Sequence, residues 1–158
     1  MVRKTCDDES DRKLIDDIAT YGWHCVRIAA EENLPCFAFT VGVFHSYQHP
    51  EFIIFGLRSD IAHRVLTLAI DGMRSGAIFD LALPTDELLN GYPCVFIRVP
   101  EAEYFEHVGF GRWFYEGNDF PLYQIVWPSR AGLFPWHPDA SEAFRAEQPV
   151  LGHRDAGI

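Results

Sequence analysis

Apolar positions along the chain recur with two different periods, and polar or Gly/Pro-rich breaks separate the runs. From Ser10 or Asp11 onward, Leu14, Ile15, Ile18 and Ala19 lie three or four residues apart, the spacing that lines one helix face, and Gly22 supplies a stop. A longer helix is predicted over residues 59–76. There Ile61, Val65, Leu68, Ala69 and Met73 make one stripe, Ser59 or Asp60 stands where an N-cap belongs, and Gly76 ends the run. Residues 101–115 begin as a third helix and should break where Gly109 and Gly111 weaken it.

Runs without helical period fall between these. Residues 23–30 and 36–44 flank the turn Glu31-Glu32-Asn33-Leu34-Pro35 and read as a hairpin; the second run is apolar on both faces, which places it inside a sheet. Residues 52–57, 92–99 and 121–127 are further strands, and 79–83 reads as a short edge strand. The polar residues 45–51 form a loop between two buried strands. Hairpin-like strand succession, with helices inserted rather than strictly alternating, predicts an α+β fold: a single domain with a central antiparallel-rich mixed sheet and helices packed on it. The sheet should hold residues 36–43, 52–57, 94–99 and 122–127, with helix 59–76 covering one face. Residues 1–9 read as a flexible lead-in, 10–152 as one globular domain and 153–158 as a tail.

Composition narrows the class. Over 158 residues, 48% hydrophobic and 23% charged content is globular, which excludes a disordered or fibrous chain. A net charge of −10 repels a phosphate backbone and an anionic bilayer alike, so neither nucleic acid nor membrane is the expected partner. A protein partner or a small-molecule ligand is. The first residues turn acidic where a signal peptide needs roughly 7–15 apolar residues, so a cytoplasmic location is expected. The four cysteines form no C-x-x-C pair, and Cys25, Cys36 and Cys94 lie in apolar runs, where buried, reduced thiols are expected.

Two constellations carry candidate chemistry. In residues 45–51, His45, His49 and Glu51 supply two imidazoles and a carboxylate, the donor set of an open metal site or of an acid–base pair near neutral pH. The same residues also fit a turn in which one histidine caps backbone groups and the other is solvated. Pro50 disfavours a helix that would put His45 and His49 on one face. Aromatic and guanidinium groups concentrate in the C-terminal third, in Arg112-Trp113-Phe114-Tyr115 and around Tyr123, Trp127, Arg130 and Trp136. Such a mixture suits the wall of a pocket for a flat or anionic ligand, or simply core filling with snorkelling arginines. A cleft would combine His49 and Glu51 with Arg112, Tyr115 and Trp127, with Arg112 holding a carboxylate or phosphate; alternatively Glu51 and Arg112 pair with each other. His24 alone reads as a core or edge-strand residue. No nucleophile elbow, phosphate loop or dinucleotide fingerprint occurs.

Several phrases in order, Gly22-Trp23-His24, Phe39-Thr40-Val41-Gly42, His49-Pro50-Glu51 through Gly56-Leu57, Leu89-Asn90-Gly91-Tyr92-Pro93, Arg112-Trp113-Phe114-Tyr115, and Gln124-Ile125-Val126-Trp127-Pro128 before Gly132-Leu133-Phe134-Pro135-Trp136, resemble the bacterial family known as domain of unknown function 4262. The resemblance spans residues 22–152. It implies a bacterial cytosolic domain, no assigned activity or cofactor, and a weaker case for His45 than for His49, Glu51, Arg112 or Trp127. A looser likeness over residues 37–73 is to flavin-binding split barrels. Three functions follow as expectations: a binding or interaction module accessory to a larger system; a small enzyme with a His/Glu/Arg aromatic-lined cleft; or a flavin- or nucleotide-binding protein.

Overall fold

The hairpin forms around the expected turn. Strand β1 (His24–Ile28) runs antiparallel to β2 (Phe37–Val41), with Cys25 opposite Thr40 and Arg27 opposite Ala38. β2 pairs antiparallel with β3 (Glu51–Phe55), and β3 pairs parallel with β5 (Leu122–Val126). β4 (Val95–Arg98) lies antiparallel to β5 at the far edge. In this computed structural model, which describes residues 2–153, the order β1-β2-β3-β5-β4 makes one open mixed sheet, antiparallel in all pairings except β3 with β5. The architecture is α+β, and the sheet does not close into a barrel. Met1 and residues 154–158, most of the expected tail, lie outside the described residues.

Strand periodicity divides the core in two. On β3, Ile53 and Phe55 point to one face and Phe52 and Ile54 to the other. The first face is covered by α1 (Glu9–Tyr21) through Leu14 and Ile18, together with Phe114 and Tyr104. The second is covered by α3 (Ser59–Ser75), which buries Ala62, Val65, Leu66, Ala69 and Ile70; the buried face keeps Val65 and Ala69 of the expected stripe but is turned so that Ile61, Leu68 and Met73 sit half-buried at its border. Asp8 caps α1 by accepting from the Asp11 N–H at 2.9 Å. No side chain caps α3: its N-cap is Arg58, and Asp60 pairs with that arginine at 3.0 Å instead.

Other expectations are corrected by local hydrogen bonding. Residues 43–47 are a short helix, α2 (Val43–Tyr47), and Glu51 belongs to β3 rather than to a loop. Residues 79–83 are not a strand; Asp80 folds them into a turn by accepting from the Leu83 and Ala82 amides, and Phe79 is exposed. The third helix is a 3₁₀ turn (Glu101–Glu103), then α4 (Tyr104–His107) and α5 (Gly109–Tyr115). The break falls at Val108, where φ −122° and ψ 51° leave the helical region one residue before the first glycine. Gly111 continues α5, buried so close to Phe120 that a Cβ would lie 3.2 Å from the ring. A sixth helix, α6 (Glu142–Glu147), follows a Ser141 cap. All four cysteines are free, but of the three expected in the core only Cys94 is buried, and burial pushes its thiol up to about 12. Cys25 lies on the edge strand and Cys36 at the mouth of the hairpin, each half-buried.

Behind α6 the chain straps itself to β5 through two buried glutamines. Gln124 donates to the Pro149 carbonyl at 2.7 Å and accepts from the Leu151 amide at 2.9 Å. Gln148 accepts from the Trp127 N–H at 2.9 Å and donates to the Trp127 carbonyl at 2.8 Å. Because Gln148→Ala strips both backbone partners from Trp127 in a buried place, it should cost about 2–4 kcal/mol in urea unfolding and speed hydrogen exchange at the Trp127 amide. An unchanged midpoint would refute the strap.

Candidate functional site

Glu51 begins β3 with its side chain 1% exposed, and all that meets its carboxylate are donors. Oε1 accepts from the Thr40 hydroxyl at 2.7 Å and the Val43 N–H at 3.2 Å. Oε2 accepts from the Gly42 and Phe44 N–H groups, each at 3.1 Å, and from the Tyr115 hydroxyl. This arrangement depends on Gly42, whose φ of 107° turns the end of β2 into α2 so that three successive amides converge. Burial pushes the Glu51 carboxyl above its ordinary range, while the hydroxyl and amide donors pull the other way. Burial and the neighbouring carboxylate also push the Tyr115 phenol up, so it stays a donor. Tyr115 in turn accepts from the His45 N–H at 3.1 Å, and Thr40 accepts from the Phe52 N–H at 3.0 Å. Each polar atom of the cluster is thus satisfied within the chain.

The other residues singled out from the sequence lie elsewhere. His45 is exposed on α2 with its ring edge-on to Phe114. His49 is half-buried between α2 and β3, and the ligand atoms of His45, His49 and Glu51 do not gather within 4.8 Å of one another; among the described residues the group that does is Glu103, Glu106 and His107. Arg112 does not pair with Glu51. Its Nε donates to Asn118 Oδ1 at 2.6 Å and its guanidinium lies over Phe105. Trp127 donates its indole N–H to the Phe55 carbonyl at 2.8 Å and packs edge-on against Phe144. Glu51 and Tyr115 therefore come together, while Arg112 and Trp127 belong to two separate neighbourhoods.

A different set of residues meets in a cleft of about 760 Å³ along the outer edge of β1. Its position follows from the chain reversal at Gly22, where φ of 93° ends α1 and starts β1 alongside it. The carbonyls at that corner are held by α2: Ser46 donates to the Gly22 carbonyl at 2.7 Å and Tyr47 to that of Tyr21 at 3.0 Å. On the α1 wall, His24 Nδ1 lies 2.7 Å from Asp17 Oδ2, and Lys13 lies 3.3 Å from the same oxygen. A carboxylate can only accept, so Nδ1 carries the proton and Nε2 is the nitrogen left for other partners. Burial works upward on Asp17, but the hydrogen bonds from His24 and Lys13 outweigh it and hold the carboxyl below the usual aspartate range. On the α3 wall, Trp23 and His63 stack with centroids 5.8 Å apart, and burial, then the charge of Arg27, lowers the His63 pKa so that its ring stays neutral.

Sequence reasoning passed over this cleft because its residues come from α1, the run 23–27, α3 and α5, which meet only when those elements pack. The available signal was Asp17 in the last turns of a helix and His24 two residues after its stop glycine, a spacing that puts the two side by side once the chain reverses. His24 is indeed an edge-strand residue with a satisfied ring nitrogen.

Fold and site together define an α+β domain with an open mixed sheet and a largely apolar, aromatic-walled cleft, dotted with charged groups, on the free sheet edge. The chain belongs to the family described as domain of unknown function (DUF4262), whose model matches residues 17–141. No curated protein and no solved structure matches it. Among the described residues, no helix is long and apolar enough to cross a membrane.

Two outcomes follow from the geometry. Glu51→Gln places an amide donor against hydroxyl and backbone donors and should cost about 3 kcal/mol or more, whereas Tyr115→Phe should cost about 2 kcal/mol, both read by chemical denaturation. Near-neutral values would show that the cluster is not a structural tie. Asp17 titrates lower in the folded chain than in the unfolded one, so its stabilisation is complete above the unfolded pKa and is lost as pH falls through the native one. Asp17→Asn should therefore flatten the acid limb of the melting-temperature profile, and an unaltered limb would contradict the pairing.

Proposed function

We propose that this protein is a binding module and that the cleft along β1 is its ligand site. One observation carries the reading: an opening of about 760 Å³, within the roughly 300–1,000 Å³ of ligand sites, lies where β1 has no neighbouring strand and where charged and aromatic side chains face the opening. The Glu51 cluster supports it indirectly. Its donors and acceptors are spent on one another, which suits a brace for α2 and the Gly22 corner more than a group awaiting a ligand. The finer expectation of a cleft walled by His49, Glu51, Arg112, Tyr115 and Trp127 is replaced in this proposal by a cleft one layer away, which Glu51 and Tyr115 help to shape.

A second reading, a small enzyme, is favoured by the Asp17–His24 pair alone. A carboxylate that orients an imidazole and leaves Nε2 available is the arrangement of a general acid–base. The two readings part in one experiment, a nuclear magnetic resonance screen of small anions, aromatic acids and short peptides against the isotope-labelled full chain. Binding should move the amides of residues 23–28 and the Trp23 indole while the ligand's own spectrum persists. New ligand resonances that grow with time, and that His24→Gln abolishes, would establish the enzyme instead. Perturbations confined to residues remote from β1, or none at all, would reject both.

A further inference from the structure

We infer that the cleft receives an acidic protein segment in extended conformation, which adds to β1 as a sixth strand of the sheet. The inference rests on the reading of the cleft as the binding site and says what fills it. β1 ends the strand order, so every second residue turns its N–H and C=O away from β2. Among the described residues no strand or isolated bridge takes up that side, whereas at the head of β4 Thr85 exchanges backbone hydrogen bonds with Cys94 at 2.9 and 2.8 Å. Free edges are commonly blunted by proline, a bulge or a covering loop. β1 carries no proline, and its five residues pair with β2 in unbroken register.

The cleft around this edge suits a strand more than a globule. Trp23 and Cys25 pack with the α3 side of the sheet, and Val26 and Ile28 with the α1 side. A segment hydrogen-bonded to β1 would send alternate side chains to the same two walls. Charge then selects its chemistry. Lys13 and Arg27 face the opening against one carboxylate, Asp17, and that carboxylate is already engaged by Lys13 and His24. Arg27 is exposed and takes part in none of the ion pairs among the described residues. On a chain of net charge −10 this is a locally cationic place. Charges farther off than the screening length, about 8 Å at physiological salt, oppose an acidic partner only weakly. Carboxylates along one face of the incoming strand would meet Arg27, and apolar side chains on the other would lie against Leu14 and Phe110, the apolar part of the α1 side.

The test uses the labelled full chain and three kinds of probe: a capped hexapeptide alternating Glu and Val, its Lys and Val counterpart, and the acidic peptide N-methylated at alternate residues in each of the two phases. The acidic peptide should shift β1 amides and slow hydrogen exchange at the outward-facing ones. The lysine peptide and one of the two N-methylated peptides should bind at least about tenfold more weakly, and Arg27→Glu should weaken the acidic peptide by about tenfold while strengthening the lysine one. Equal binding of both N-methylated peptides would overturn strand addition, and indifference to Arg27→Glu would overturn the acidic preference. If no peptide binds but a small ligand from the screen still moves the cleft resonances, this inference fails and the binding reading stands. If nothing moves them, both fail.

Discussion

A carboxylate without water is held only by the hydrogen bonds the chain brings to it, and around Glu51 three backbone amides, a threonine and a tyrosine converge. Desolvation of such a charge costs several kcal/mol before any partner is counted. The donors recover that cost only when they are held at one point, so Glu51 fixes the relative places of β2, α2, β3 and α5. Gly42 makes this geometry attainable: at its φ of 107°, a Cβ would strike the Ile18 side chain at 2.7 Å as well as strain the backbone. The parallel pairing of β3 with β5 starts at the same residue, Glu51 opposite Leu122, so the tie stands where the sheet changes from antiparallel to parallel.

From this tie the order passes to the sheet edge. The α2 helix has five residues, too few to be stable alone, and the carboxylate satisfies its first amides. Held there, α2 presents Ser46 and Tyr47 to the carbonyls at the end of α1. The Gly22 corner then sets β1 beside α1, and Asp17 meets His24. Arg74 of α3 lies 4.1 Å over the Tyr47 ring, so the opposite wall is linked to the same short helix. The buried cluster and the open cleft are successive parts of one structure, the first dry and self-satisfied, the second accessible and lined by apolar and charged groups together.

What the sequence determined by itself is the set of elements whose physics is local. The stripe of Val65, Leu68 and Ala69, the alternation around Val95 and Ile97, and the stop at Gly22 each depend on neighbours within a few residues, and α1, β1, β2, β3, α3, β4 and β5 appear where those patterns lie. The family resemblance and the α+β class were legible for the same reason: an ordered series of local phrases survives without knowledge of contacts. Glu51 and Tyr115 were also marked, Glu51 in the polar run 45–51 and Tyr115 in the aromatic run 112–115, both within the phrases that carry the family resemblance.

Only the tertiary structure decided what those groups do. Glu51 and Tyr115 are 64 positions apart, and nothing in either segment says that the phenol reaches the carboxylate while Arg112, three residues earlier, turns to Asn118. The helix at residues 43–47 was invisible because its first amides are capped by a carboxylate from the next strand rather than by a preceding side chain. The cleft was invisible because Asp17, Trp23, Arg27 and His63 have no shared spacing and meet only when α1, β1 and α3 are packed. Periodicity reports which face of an element is buried, whereas a site depends on which faces of distant elements meet, and that is settled by the sheet order and the corner at Gly22.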